Sequence, residues 1–208
     1  MTYQLEVVDF IHLPPDEAIL SQREQAFYKT LRFPKRRSEW LGGRCALKRL
    51  VAAETGETEL PMIEVLPQTT GKPQLLVKNA PVPWAFSLTH SHGFAVAALS
   101  TKARLLGIDL EKVEHRIEAW KTDFFHPSEL TREGDEFLTA LWTQKEALVK
   151  LLGTGLTLNS FEVRCVKGQP RFFGEALRLY KELGQPKITL QTSALLPGFQ
   201  FTVAVETC

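Results

Sequence analysis

The sequence predicts an α+β fold, with helices and strands grouped rather than interleaved. Two long stretches, residues 34–54 and 134–152, carry apolar side chains at helical spacing. Several short apolar runs, punctuated by Pro61, Pro67, Pro73, Pro81 and Pro83, read as strands. The two kinds of element do not alternate strictly, as a doubly wound parallel sheet would require.

The elements follow in order. Residues 3–11 are rich in apolar and β-branched side chains and stop before Pro14 and Pro15, which reads as a strand and then a break. Residues 16–31 carry Ile19, Leu20, Phe27 and Leu31 and read as a helix. Pro34 suits the first turn of the next helix, whose apolar face is Trp40, Leu47, Leu50 and Val51. Residues 62–66, 74–77, 85–89, 94–99 and 104–110 read as strands. Residues 134–152 form the clearest helix of the second half, with Leu138, Leu141, Trp142, Leu148, Leu151 and Leu152 on its buried side and Gly153 as its stop. Residues 161–166, 187–192 and 199–205 return to strands. A boundary near residues 100–104 divides the chain into halves at 1–102 and 103–208, between which no repeated sequence motif is visible.

Composition narrows the class. The chain has 208 residues, enough to bury a real core, and a formal net charge of +1. Attraction for phosphate must therefore come from local clustering, and the whole molecule is no generic nucleic-acid binder. Cys45, Cys165 and Cys208 stand far apart without zinc-type spacing, which points to reduced thiols. No run approaches the ~18 apolar residues of a membrane span, and residues 1–10 lack the pattern of a signal peptide. The expectation is a soluble cytoplasmic protein.

Two acidic strings carry chemistry. In Gly107-Ile108-Asp109-Leu110-Glu111, strand alternation puts both carboxylates on one side and Ile108 and Leu110 on the other, toward the core. Taken alone, the pair reads equally well as a water-facing strand end. In Trp142-Thr143-Gln144-Lys145-Glu146-Ala147-Leu148-Val149-Lys150, Glu146 and Lys150 share a helix face, and alone they read as a surface pair. A third carboxylate joined to Asp109 and Glu111 makes a set suited to a hard divalent ion such as Mg²⁺.

The basic side chains gather on residues 34–54, where Arg37, Arg44 and Lys48 fall on one stripe. A solvated face is the ordinary reading of such a stripe. Lys72 sits in the turn Gly71-Lys72-Pro73. His90 follows a strand and precedes a glycine turn, a place from which a ring can donate to a phosphate; His12, His92, His115 and His126 show no partner spacing.

Together and in this order, the strings resemble the 4'-phosphopantetheinyl transferase superfamily, of the single-chain surfactin-synthetase-activator type, over roughly residues 20–165. GIDLE followed by WTxKEAxxKxxGxGL is the specific part. The resemblance implies two similar α+β halves in a pseudo-twofold arrangement. It implies Asp109, Glu111 and Glu146 as Mg²⁺ ligands and Lys150 as a phosphate-binding lysine beside the reacting bond. It implies Lys72, Thr89, His90, Arg44 and Arg37 as contacts to coenzyme A. Where the family has Asn and Ser in the Phe86–Ser91 string, this chain has Ser87 and Thr89. The implied reaction is attack of a carrier-protein serine on the β-phosphate of coenzyme A, releasing adenosine 3',5'-bisphosphate, with Glu146, Glu111 or a water as base. The implied partner is an apo acyl or peptidyl carrier protein, and the implied state a monomer. Such carriers are commonly acidic helical domains, which calls for a basic or apolar receiving patch.

Overall fold

The computed structural model describes residues 3–68, 73–154 and 158–207, and it divides into two compact units, Met1–Arg104 and Leu105–Cys208.

In the first unit, β1 (Gln4–Asp9) is followed by two short helices, α1 (Asp16–Ile19) and α2 (Gln22–Tyr28), and by the long α3 (Pro34–Thr55). Then come β2 (Ile63–Pro67), β3 (Pro73–Val77), β4 (Ala80–Pro81), β5 (Ala85–Ser91) and β6 (Phe94–Ser100). The expected helix over 16–31 is broken because Ser21 starts a new one: its hydroxyl accepts from the Glu24 amide while the Glu24 carboxylate accepts from the Ser21 amide. One antiparallel sheet has the order β1-β6-β5 and a smaller one the order β2-β3-β4. The core joins α3 (Trp40, Cys45, Leu47, Val51) to Val8, Ala97 and Leu99. A methyl group on Gly42 would lie 2.5 Å from the Phe10 ring, so only glycine allows this approach.

The second unit runs through β7 (Leu106–Lys112), α4 (Glu118–Phe124), α5 (Asp135–Leu152), β8 (Val163–Val166), β9 (Gln169–Phe172), α6 (Gly174–Glu182), β10 (Ile188–Ser193) and β11 (Phe199–Glu206). Its sheet has the order β10-β11-β7, and β8 and β9 form a separate hairpin. The helices α4 and α6 gave no clear signal in the sequence.

The connectivity of the two units is the same. Each has a first strand, a long helix, a strand hairpin, and two closing strands, of which the last lies between the first and the penultimate. A buried clamp repeats as well. In the first unit Glu24 takes the Val65 amide of β2 with one oxygen and pairs with Lys48 of α3. In the second, Glu129 takes the Cys165 amide of β8 with Oε1 at 2.8 Å and pairs with Lys145 of α5. Both glutamates also cap the amide three residues earlier, Ser21 and His126. Lys48 is therefore a fully buried structural cation rather than a member of a solvated basic stripe. Among the described residues no helix is long and apolar enough to cross a membrane.

Candidate active site

The acidic strings of the second unit meet because a glycine lets them. A Cβ on Gly107 would stand 2.0 Å from the Ala147 carbonyl and 2.6 Å from the Leu151 amide, so α5 lies directly against β7 at that point. Strand alternation puts Gly107, Asp109 and Glu111 on one face, and that face is the one α5 covers. Asp109 is consequently buried, not water-facing, while Glu111 is half-buried; Ile108 and Leu110 on the opposite face are fully buried.

Across this interface Lys150 Nζ donates to Asp109 Oδ1 at 2.8 Å and to the Ile108 carbonyl at 3.0 Å. Glu146, one turn earlier, shares the site. Burial, and then the negative charge of Asp109, raise its carboxyl above the ordinary glutamate value, while Lys150 and Lys145 pull the other way. The expected carboxylates thus come from two facing elements, but they are not a ready-made metal cluster. Among the described residues no three His, Cys, Asp or Glu side chains form a group that holds an ion, and Asp109 has an ammonium on it instead.

The helix is fixed on both sides of Glu146. Thr143 bonds Thr202 at 2.8 Å, and Thr202 is the cross-strand partner of Asp109. Trp142 packs edge-on against Phe124 and Phe125, with Trp120 completing the cluster. Phe124 and Trp142 of this wall, with Val149, Leu158 and Val163, line a pocket of about 140 Å³ that Glu146 also lines. Neither the wall nor the Glu129 clamp was read from the sequence. The only signal for the latter is a glutamate three residues after a possible cap, and such spacing is common.

Apart from Lys150, the expected cofactor contacts lie in the first unit. The Arg44 guanidinium stacks 3.9 Å above the Trp40 ring, and its Nε is buried with no hydrogen-bond partner among the described residues. Burial, ahead of opposing Glu24 and a small Arg36 effect, lowers its pKa to about 10. It faces a pocket of about 190 Å³ that also touches Phe27, Leu66 and Pro67. Arg37 is occupied locally, with Nε donating to the Leu31 carbonyl at 2.7 Å and its charge over the Tyr28 ring. Thr89 is buried on β5, and the His90 ring lies 3.7 Å from Glu39 of α3. Lys72 and the Gly155-Leu156 end of the second string fall outside the described residues.

The chain is similar to known proteins over much of its length. Residues 105–197 match the model of the 4'-phosphopantetheinyl transferase superfamily. The Synechocystis protein slr0495, provisionally named a 4'-phosphopantetheinyl transferase, is 30% identical over 162 residues, covering 70% of this chain and 61% of its own. The 4'-phosphopantetheinyl transferase psf-1 of Bacillus pumilus is 28% identical over 156 residues, covering 71% and 63%. Each of these two alignments exceeds half of this chain and so enters both units, but the chain spans under two thirds of either relative. Among solved structures, the Chronobacterium ammoniagenes ACPS–CoA complex aligns with a TM-score of 0.41 and 19% identity, over 50% of this chain and 96% of that one. Residues 105–197 thus match the model of the 4'-phosphopantetheinyl transferase superfamily, and over about 70% of its length the chain is similar to two proteins that bear that name.

Proposed function

We propose that this chain is a cytoplasmic, monomeric transferase of the surfactin-synthetase-activator type. It moves phosphopantetheine from coenzyme A to a serine of an apo acyl or peptidyl carrier protein and releases adenosine 3',5'-bisphosphate. The observation that carries this reading is the packing of α5 on Gly107, which sets Glu146 and Lys150 over Asp109.

Asp109, Glu111 and Glu146 offer only carboxylate oxygens, a hard donor set that fits Mg²⁺ with phosphates and waters completing its shell. When bound, Mg²⁺ supplies charge neutralisation at the pyrophosphate. Lys150 is a cation beside the same carboxylates, and turning it from Asp109 toward a phosphate oxygen would both free that carboxylate and hold the reacting group. Glu146 is the first choice for the base. Its carboxyl sits above the ordinary value, which improves it as a proton acceptor for a serine hydroxyl. Glu111 or a water is the alternative. Arg44, His90, Thr89 and Arg37 of the first unit, with Lys72, hold the phosphates of coenzyme A; the stacked, partner-seeking Arg44 fits that role best. Much of the rate then comes from positioning.

The test is to incubate the protein with coenzyme A, Mg²⁺ and a panel of apo-carriers and weigh the carriers. A mass gain of one phosphopantetheine arm is expected. Coenzyme A binding without any mass gain would mark a non-catalytic relative instead.

A further inference from the structure

The turn between α2 and α3 is charged quite unlike the rest of the molecule. Residues 29–37 contain five Lys or Arg and no acid, in a chain whose net charge is only +1, so the remainder carries four net negative charges. Two phenyl rings stand among these cations: Phe33 is 74% exposed and Phe27 50%. Lys29, Arg32, Lys35 and Arg36 are exposed around them.

The turn is also held in shape. The Thr30 and Leu31 amides donate to the Phe27 and Tyr28 carbonyls at 2.9 and 3.1 Å. Arg37 ties Leu31 back to α3. Phe27 itself leans on Trp40, ring centroids 5.4 Å apart. An exposed aromatic on a fastened turn loses little freedom on association, and aromatic and Arg side chains dominate binding energy at protein interfaces.

We infer that the Phe27–Arg36 face docks an acidic protein surface that carries exposed apolar side chains. Resting on the proposed function, that protein is the apo-carrier. Charge complementarity is the argument: four exposed cations, Lys29, Arg32, Lys35 and Arg36, surround two apolar anchors, the inverse of an acidic helical domain with apolar side chains at its face; Glu39 lies 4.0 and 3.8 Å from Lys35 and Arg36 and offsets only part of that charge. A lipid surface is the poorer fit, since such binding uses an amphipathic helix lying in the interface plane and these groups come from a bent connection. The same helix α3 carries Arg44 two turns further on, so the docked partner would sit on the element proposed to hold coenzyme A.

The test is the double substitution Arg32→Glu with Phe33→Ser, compared with Lys187→Glu, an exposed charge of the second unit. With apo acyl and peptidyl carrier proteins as probes, the double variant should raise the carrier KM and the directly measured carrier Kd by about tenfold or more. The KM for coenzyme A and kcat should stay unchanged, the salt dependence of carrier binding should weaken, and Lys187→Glu should change none of these. If the wild-type protein loads a carrier and the double variant loads it with the same KM, the docking face is wrong and the transferase reading stands. A rise in the KM for coenzyme A alone would assign the patch to the cofactor and overturn the inference. So would loss of binding to phosphatidylserine vesicles with carrier KM unmoved. A wild-type protein that loads no carrier in the panel overturns both readings.

Discussion

Lys145 Nζ donates to both carboxylate oxygens of Glu129, at 2.9 and 3.2 Å, and neither side chain reaches solvent to more than 2%. Lys145 is the residue before Glu146. The pair therefore anchors α5 next to the proposed catalytic carboxylate, while the third bond of Glu129 fastens β8.

Removing one partner of such a pair leaves an uncompensated charge in the core. Glu129→Gln should destabilise the second unit by about 3–5 kcal/mol, and Glu24→Gln should do the same to the first. Urea unfolding followed by fluorescence checks both. If the clamps are equivalent, the two losses will match within about 1 kcal/mol, whereas Lys145→Met combined with Glu129→Leu should recover part of the loss.

Gly107 sets the distance between strand and helix. Its replacement by Ala puts a methyl carbon against the backbone of α5, at Ala147 and Leu151, which cannot yield as a side-chain tip would. Overpacking of this kind costs about 1–3 kcal/mol. Here the strain falls between Asp109 and Glu146, so transfer should drop more steeply than thermal stability. A Gly107→Ala protein that keeps full turnover would show that the contact of α5 with β7 does not set the site.

Much of this arrangement was legible in the sequence. The long helices show apolar periodicity because each buries one face on a sheet, whereas the close approach that Gly107 permits appears only in the structure. The spacing of Glu146 and Lys150 places both on one turn. What was not legible depends on tertiary partners. Lys48 reads as one more cation in a basic stripe, and only Glu24, 24 residues away, reveals it as buried. Asp109 reads equally as a surface acid until α5 covers it. The likeness of the two units is written in connectivity and in the paired clamps rather than in shared residue strings, so no repeat is visible along the chain. The split of the 16–31 helix rests on a capping box at Ser21 and Glu24, which the apolar pattern overrides when read alone.

Asp109→Asn and Glu146→Ala should each abolish carrier loading, with circular dichroism unchanged. Asp109→Asn keeps the size of the side chain but lowers the charge available to Lys150 and to a cation; isothermal titration with Mg²⁺ in the presence of coenzyme A should show affinity reduced about tenfold or more in both variants. Normal loading by either variant would remove the carboxylates from the mechanism.

Arg44→Ala should act differently. It contacts no reacting atom in the proposed reading, so the expected effect is a higher KM for coenzyme A with kcat nearly retained. Arg44→Lys should rescue little, because a point ammonium cannot stack on Trp40 as the planar guanidinium does. Loss of kcat at saturating coenzyme A would move Arg44 into the chemistry.

Two buried thiols report on the integrity of the units. Cys45 and Cys165 are free and buried. Burial first raises both above the ordinary thiol value; for Cys165 the nearby Glu129 charge adds to it and Lys145 opposes it. Because the thiolate is the reactive form, a raised pKa means a smaller reactive fraction at any pH below it. Iodoacetamide at pH 8.5, near the pKa of a free cysteine at about 8.5, should therefore leave both residues unmodified in the native protein, as peptide mass mapping would show. In Glu129→Gln the bond to the Cys165 amide weakens and the second unit opens more often, so Cys165 should become labelled while Cys45 stays protected. The reverse pattern is expected for Glu24→Gln. Labelling of both thiols in either variant would mean that the two units unfold together, and that each clamp supports the whole chain.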